Sequence, residues 1–470
     1  MRAGADADAS AARKAGLLVA TLSSFFTPFM SSSINIALPS IAREFSLDAV
    51  TLSWVATSFL LAAAVFIVPF GRLADIYGRK KIFTFGVVVF TIATVMAALS
   101  PTAAFLISAR VLQGVGSAIL SATSMAILTS VYPANERGKV LGFQVAAVYT
   151  GLSLGPSIGG VLTQHFGWRS IFWFGIPLGL ITIVAVLWRL KGEWAEAKGE
   201  KFDYVGSVIF GLSLVGLMLG FSELPGAAGF WFILAGVLGL TGFVLWERRA
   251  SSPVLNVRLF SGNAVFAFSN LAALINYSAT SAVSFLLSLY LQYIKGLSPQ
   301  IAGLVLIAQP VVMAVFSPLA GRLSDKIDPR ILASVGMGIT TVGLLLLTFL
   351  DMSTAMVFVV AILLVLGFGF ALFSSPNSNA VMSSVERRYY GVASGTLGTM
   401  RLTGQMLSLG IAMLLFALYM GQVEITPALY PKFLRSIETA FIVFAVLCFG
   451  GVFASLARGS NRKTDLRDKI

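Results

Sequence analysis

Hydrophobic continuity constrains this chain more than any other feature. Fourteen apolar runs lie at roughly 15–38, 51–73, 82–100, 102–131, 139–163, 169–189, 204–222, 228–247, 263–293, 299–321, 330–350, 354–376, 390–419 and 436–457. Each approaches or exceeds the about 20 residues that an α-helix needs to cross a bilayer. Inside hydrocarbon every backbone N–H and C=O must find its partner within the protein, so such runs fold as helices. The chain is 57% hydrophobic and 11% charged, against about a quarter charged in soluble domains. The expected fold class is an all-α membrane protein.

The charges orient it. The net charge of +13 does not point to nucleic acid, because Lys and Arg fall in short loops between the runs. Of the 33 Lys and Arg, Arg110 and Arg401 lie within runs, and Arg43, Arg169, Lys295, Lys432 and Arg435 fall on the side opposite the termini. All the others share the side of the termini, which the positive-inside rule assigns to the cytoplasm. The expectation is a multi-pass cell-membrane protein with cytoplasmic N- and C-termini. No small-residue cleavage site follows a short apolar core, so the first run reads as a retained helix. The single cysteine, Cys448, excludes an intrachain disulfide and suits packing.

A repeat divides the runs. Gly71 to Lys81 reads G-R-L-A-D-I-Y-G-R-K-K, and Gly321 to Arg330 reads G-R-L-S-D-K-I-D-P-R. Gly71, Arg72, Leu73 and Asp75 recur as Gly321, Arg322, Leu323 and Asp325. A polar turn between two apolar helices, repeated once, implies two related halves that rock about a central site. The layout is six runs, an inserted pair and six more: a first bundle over 1–190, a loop and hairpin over 191–250, and a second bundle with its tail over 251–470. The segment Pro253 to Phe260 is expected to lie at the membrane interface as a connector.

Candidate functional residues are polar groups inside the runs. An Arg at mid-membrane costs at least ~2.5–3.5 kcal/mol, which marks Arg110 as functional. Gln113, Gly114 and Ser117 follow it on one helical face, expected to line a cavity. Arg401, Gln405 and Ser408 make a similar face in the thirteenth run. Asn270, Asn276, Tyr277 and Gln309 are candidates in the ninth and tenth, and Ser33 and Asn35 in the first. Asn377 and Asn379 are read as satisfying a broken helix end after Pro376. The fifth run carries G-L-S-L-G-P-S-I-G-G, in which Gly151, Gly155 and Gly159 permit close helix contact and Pro156 bends the helix. In the repeated turn, Gly71 and Gly78 allow close approach, Asp75 accepts hydrogen bonds, and Arg79 and Lys80 can pair with carboxylates or lipid phosphates. His165, at an outer helix end, reads as a solvated loop residue. No phosphate-cradling loop and no His/Cys cluster is present, so neither ATP-driven pumping nor a metal or other cofactor is expected, and nothing reads as an enzyme.

These motifs together resemble the major facilitator superfamily. Gly71–Lys81 is similar to its G-x-L-A-D-x-x-G-R-K signature. Arg110–Ser117 resembles its R-x-x-Q-G-x-G-[AS] pattern, associated with proton coupling, and Gly151–Gly160 its antiporter pattern. Asn35–Pro39, Glu136–Gly138 (with Arg137), Phe202–Gly206 (F-D-Y-V-G) and Gly391–Gln405 resemble the fourteen-helix drug:proton antiporter branch. The resemblance implies the major facilitator fold and proton-driven alternating access, with Asp75 and Arg79 latching the halves on the cytoplasmic side. It also implies a monomer that moves a small-molecule substrate. In one departure, Met30 stands where the branch usually has an Asp that helps bind cations. All 20 Asp and Glu fall in loops, tails or near helix ends, with Glu223, Glu247 and Glu438 closest to the membrane. Two arginines without a mid-membrane acid favour anionic or neutral amphipathic solutes. Coupling then falls to a membrane-end carboxylate, or transport is facilitated. A non-transporting receptor is the remaining alternative.

Overall fold

The computed structural model describes residues 2–132, 137–190, 192–250, 252–255, 257–324, 326–386 and 390–459. Regular structure among them is helical, and fourteen helices are long and apolar enough to cross a membrane. We number them α1 (Arg2–Phe45), α2 (Ala49–Tyr77), α3 (Arg79–Ala98), α4 (Ala103–Val131), α5 (Arg137–Phe166), α6 (Arg169–Arg189) and α7 (Tyr204–Glu223). They continue as α8 (Ala227–Glu247), α9 (Ala264–Ile294), α10 (Pro299–Ser324), α11 (Pro329–Leu347), α12 (Met356–Ser383), α13 (Tyr390–Tyr419) and α14 (Tyr430–Ala457). Side chains at the loop ends satisfy the first turns. Asp48 accepts from the Val50 and Thr51 amides, Asp203 from Gly206, Asn263 from Phe266 and Asp328 from Arg330, each at 2.8–2.9 Å. Capping matters here because the donors of a helix end have no partner within the helix.

The repeat read in the sequence is present in the packing. In the first six helices α1 packs on α5 and α6, α4 on α2 and α3, and α3 on α6; adding eight to each number gives the pairs of α9 to α14. It holds at the residue level too. Gly71 of α2 lies against Ala122 of α4, and Gly321 of α10 against Ser375 of α12. The two sets meet along a seam where α2 faces α13 and α5 faces α10.

The inserted hairpin sits beside that seam. α7 packs on α2, with Gly211 against Val65, and on α13, with Gly410 against Phe221 and Met218. α8 buries one stripe, Gly229, Gly236, Phe243 and Glu247, mainly against α7. Its other faces expose Trp231, Leu238 and Leu245, as expected of a lipid-facing helix.

Several expectations are corrected. α1 extends beyond 15–38 at both ends. α9 is interrupted after Thr280 and ends in a wide turn, Tyr290–Ile294; α10 is interrupted at Ile307. At the α9 break the Ala282 amide donates to Ser408 Oγ of α13 (2.9 Å), so Ser408 supports the backbone instead of a solute face. α12 runs through Pro376 to Ser383, so Asn377 and Asn379 are not at a broken end. Asn377 Nδ2 donates to Ser269 O of α9, its Oδ1 accepts from the buried Arg458, and Asn379 Nδ2 donates to Ser324 Oγ of α10. The connector packs against the inserted hairpin. Leu255 and Val257 are buried beneath the hairpin, and a one-turn helix, Arg258–Gly262, follows.

Candidate functional site

α5 presents two faces. Gly151, Gly155 and Gly159 recur every fourth residue and meet α1: a side-chain carbon on Gly151 would lie 2.5 Å from Phe25 O, and one on Gly159 2.9 Å from Ser33 Cβ. Tyr149, Pro156 and Gly160, at i, i+7 and i+11, share the other face. That face meets the second half. A side-chain carbon on Gly303 of α10 would lie 2.1 Å from Pro156 O, and one on Gly160 2.5 Å from Pro299 O.

At the end away from the termini the seam is sealed. Ser288 Oγ donates to Asn35 O (2.6 Å), Gln292 Nε2 to Ile36 O (3.0 Å) and the Ala49 amide to Val423 O (3.1 Å). His165, exposed at the end of α5 as expected, has Nε2 3.3 Å from Gln300 Oε1 across the seam. Towards the termini the cross-seam bonds are fewer among the described residues. The Tyr149 hydroxyl lies 3.2 Å from Ser374 Oγ of α12, and Ser394 Oγ of α13 contacts the Met125 sulfur of α4.

Polar groups from both halves gather around Tyr149. Arg401 and Tyr277 are close enough to act on its hydroxyl electrostatically, and Ser317 lies beside it. The Tyr277 ring packs edge-on to Phe370, 5.4 Å between centroids. Arg401 is half-buried, with no hydrogen-bond or ion-pair partner among the described residues. Tyr277 and Arg401 were expected from sequence. Tyr149, Ser317, Phe370 and Ser374 were not, although Tyr149 was findable from its helical spacing to Pro156.

The other candidates lie elsewhere. Arg110 is fully buried inside the first half. Nε donates to Val55 O of α2 (3.1 Å), Nη1 donates to Gln113 Oε1, and the guanidinium lies 4.3 Å from the Phe59 ring centroid. Gln113 Nε2 then donates to Thr94 Oγ1 of α3 (2.9 Å). The face expected to line a cavity instead ties α2, α3 and α4 together. Met30 is also buried within the first half, its sulfur facing Gly175 of α6, and Ser33 Oγ donates to Phe29 O and to Gly155 O of α5. Neither reaches the seam. Asn276 is fully buried with both side-chain polar atoms unpaired, just before the α9 break. Gln309 is buried where α10 crosses Gly367, and Gln405 is half-buried on α13.

In the first copy of the repeated turn, the described bonds stay on one side of the seam. Arg79 donates to Asp75 Oδ1 (2.8 and 3.0 Å), Ser130 Oγ of α4 (2.6 Å) and Glu196 (2.9 and 3.0 Å). The Arg79 amide donates to Trp194 O, and the Ala197 amide to Asp75 O. Arg72 pairs with Glu200. Every described partner belongs to the first half or to the loop before α7, so the expected latch between halves is, in this conformation, a clamp on that loop. Glu193 caps α3 through the Lys80 and Lys81 amides. Gly78 has φ +115°, and a side-chain carbon there would lie 2.5 Å from the Glu193 carboxyl carbon, so only glycine fits. Glu136, Asp325 and the Arg137 side chain lie outside the described residues.

The model of the Major Facilitator Superfamily matches residues 20–408 and 269–469. The riboflavin transporter RibZ of Clostridioides difficile (strain 630) is 31% identical over 385 residues, 82% of this chain and 84% of the relative. The cephamycin export protein CmcT of Amycolatopsis lactamdurans is 32% identical over 411 residues, 85% of this chain and 84% of the relative. The multidrug resistance protein Stp of Mycobacterium tuberculosis (strain CDC 1551 / Oshkosh) is 31% identical over 407 residues, 84% and 74%. Two solved structures share the fold. A bacterial homologue of the human lysosomal transporter Spinster, inward-facing and unoccupied, has a TM-score of 0.68 at 19% identity, covering 97% of this chain and 98% of its own. The human organic anion transporter MFSD10 has a TM-score of 0.65 at 14% identity, covering 94% and 99%.

Proposed function

The chain belongs to the major facilitator superfamily, and we propose that this transporter exports small amphipathic molecules by alternating access about the Tyr149–Tyr277–Arg401 cluster. Arg401 carries the reading: a half-buried guanidinium at the seam, without a partner among the described residues. Such a cation draws an anionic or hydrogen-bond-accepting group, and the rings of Tyr277 and Phe370 offer an apolar wall. Among the described residues no carboxylate joins this cluster. The site therefore suits anionic or neutral amphipathic solutes over permanent cations. Relatives named for riboflavin transport and cephamycin export support a solute of that size.

The end that carries the termini is the cytoplasmic one in this proposal, on the loop-charge argument. The far end is the more heavily bonded one, so opening toward the cytoplasm, the side on which an exporter loads, breaks fewer bonds. The first bundle (1–190), the loop and hairpin (191–250) and the second bundle (251–470) act as two rocking bodies with an insert. Each copy has its own seam, so a monomer suffices. Proton gradients supply the drive in the leading reading. The absence of a carboxylate at the cluster favours a second, facilitated transport of an anionic or lipid-like solute without coupling.

Proteoliposomes holding a pH-sensitive dye, assayed in parallel for uptake of the labelled solute, test this reading when anionic, neutral and permanently cationic amphiphiles are added in turn. Saturable transport of the first two is expected. Arg401→Gln should weaken apparent affinity for the anionic probe about tenfold, the loss of roughly 1.5 kcal/mol for a charge-assisted hydrogen bond. Saturable export of a permanent cation, unaffected by Arg401→Gln, would overturn the assignment.

A further inference from the structure

The F-D-Y-V-G motif plays no part in the solute site, and its aspartate faces a second carboxylate. Asp203 caps α7 through the Gly206 amide, and its Oδ2 accepts from Trp246 Nε1 at 2.9 Å. Glu247 ends α8 and is 1% exposed. Its Oε2 accepts from the Leu255 amide of the connector at 3.2 Å, while the buried Oε1 has no hydrogen-bond partner. A side-chain carbon placed on Gly206 would touch Glu247 Oε1 at 2.5 Å and Asp203 Oδ2 at 2.6 Å. Both acids therefore flank this glycine, whose lack of a side chain leaves room between them.

The groups that act on Glu247 are the Leu255 and Val254 amides and the Asp203 carboxylate. Neither acid forms an ion pair among the described residues. Arg248 and Arg249 follow Glu247 in sequence, but their side chains are exposed while Glu247 points inward. Two carboxylates sharing a pocket cannot both ionise cheaply, and a buried ionised oxygen without a donor is costly. One proton removes both penalties.

We propose that Asp203 and Glu247 form a proton-binding carboxylate pair that fastens the inserted hairpin to the connector entering the second half. The proton sits on Glu247 Oε1 and is donated toward Asp203 Oδ2, and Glu247 Oε2 keeps the Leu255 amide. Leu255 and Val257 also line an apolar cavity of about 480 Å³ between the hairpin and α9 and α13, with Phe210, Phe243, Leu274 and Met400. Loss of the proton sets two like charges face to face and loosens that wall. The assignment stands whether or not transport is proton-coupled.

Infrared difference spectra of the full chain in lipid nanodiscs, between about pH 6 and about pH 9, test it. A protonated-carboxyl C=O band should lose intensity as pH rises and be missing in Glu247→Gln. In Asp203→Asn, which retains helix capping, the same loss should move to lower pH because the facing charge is gone. Amide exchange of residues 252–262 should quicken at alkaline pH in the native chain, beyond the intrinsic pH effect seen in Glu247→Gln. A band that survives Glu247→Gln, or no titrating band at all, would overturn the proposal. So would a band whose pH dependence Asp203→Asn leaves in place, an arm that remains informative if the glutamine variant fails to fold.

Discussion

Gly303→Val should stop transport while leaving the protein folded. A side-chain carbon at this position would lie 2.1 Å from Pro156 O, and backbone on both sides of the contact cannot yield as a flexible side chain would. α5 and α10 must separate, and the far-end bonds from Ser288 and Gln292 of α9 to Asn35 and Ile36 of α1 open with them. Overpacking of this kind costs about 1–3 kcal/mol. The cost falls only on the conformation in which this end is sealed, so it shifts the balance toward the state open at that end by roughly 5- to 150-fold. Transport that needs both states falls accordingly. Thermal unfolding of the variant should stay near that of the native protein, because each half packs through helix pairs the substitution does not touch. Unchanged transport in a folded Gly303→Val protein would mean that α5 and α10 do not close against each other during the cycle.

Arg110→Ala should also abolish most transport, with a smaller effect on stability. Two opposing terms decide this. Removing the guanidinium relieves the expense of a buried charge without a carboxylate partner, several kcal/mol before its hydrogen bonds are counted. It also leaves Gln113 Oε1 without its donor and Val55 O without its second one, at about 1–3 kcal/mol for an orphaned group. These terms partly cancel in the unfolding equilibrium. They do not cancel in the relation of α2 to α4, which the guanidinium sets through Val55 and Phe59. If that relation differs between the two transport states, losing one such bond changes their ratio about tenfold or more. Arg110→Lys should rescue little, since an ammonium lacks the planar fork that reaches both acceptors. Flux assays alongside thermal unfolding separate the two effects; a collapse in stability equal to the loss of flux would reduce Arg110 to a packing role.

What was legible in the sequence follows the strength of the physical signal. Spans of about 20 apolar residues are dictated by bilayer thickness, and all fourteen were readable. So was the two-half arrangement, because the G-R-L-x-D turn recurs at Asp75 and Asp325. The breaks in α9 and α10 were not readable. They are held by tertiary partners such as Ser408, which replaces a helical acceptor for the Ala282 amide. The same limit applied to polar residues within spans. Apolarity says that Arg110, Ser33 and Asn276 are costly in lipid, but not whether they turn to the seam or to a neighbour in the same half. Arg110 and Ser33 turned inward, and Met30 with them. Tyr277 and Arg401 reached the seam. Tyr149 escaped notice because a tyrosine in an apolar run is unremarkable by composition, and only its register with Pro156 and Gly160 gives its direction. Glu247 was visible as a membrane-end acid, but its pairing with Asp203 depends on the antiparallel return of α8 along α7.

Alternating access in this protein turns on one moving joint, the seam between α1–α6 and α9–α14. Spin labels on cysteines placed at 165 and 300, in a Cys448→Ala background, report the far end; labels at 125 and 394 report the end near the termini. Pulsed electron–electron distances in nanodiscs, with and without a transported anionic amphiphile, test it directly. Both pairs are in contact in this structure, so the predicted result is alternation: either distance lengthens only in the population in which the other stays short. Fixed distances at both ends, in protein that still transports, would contradict the account.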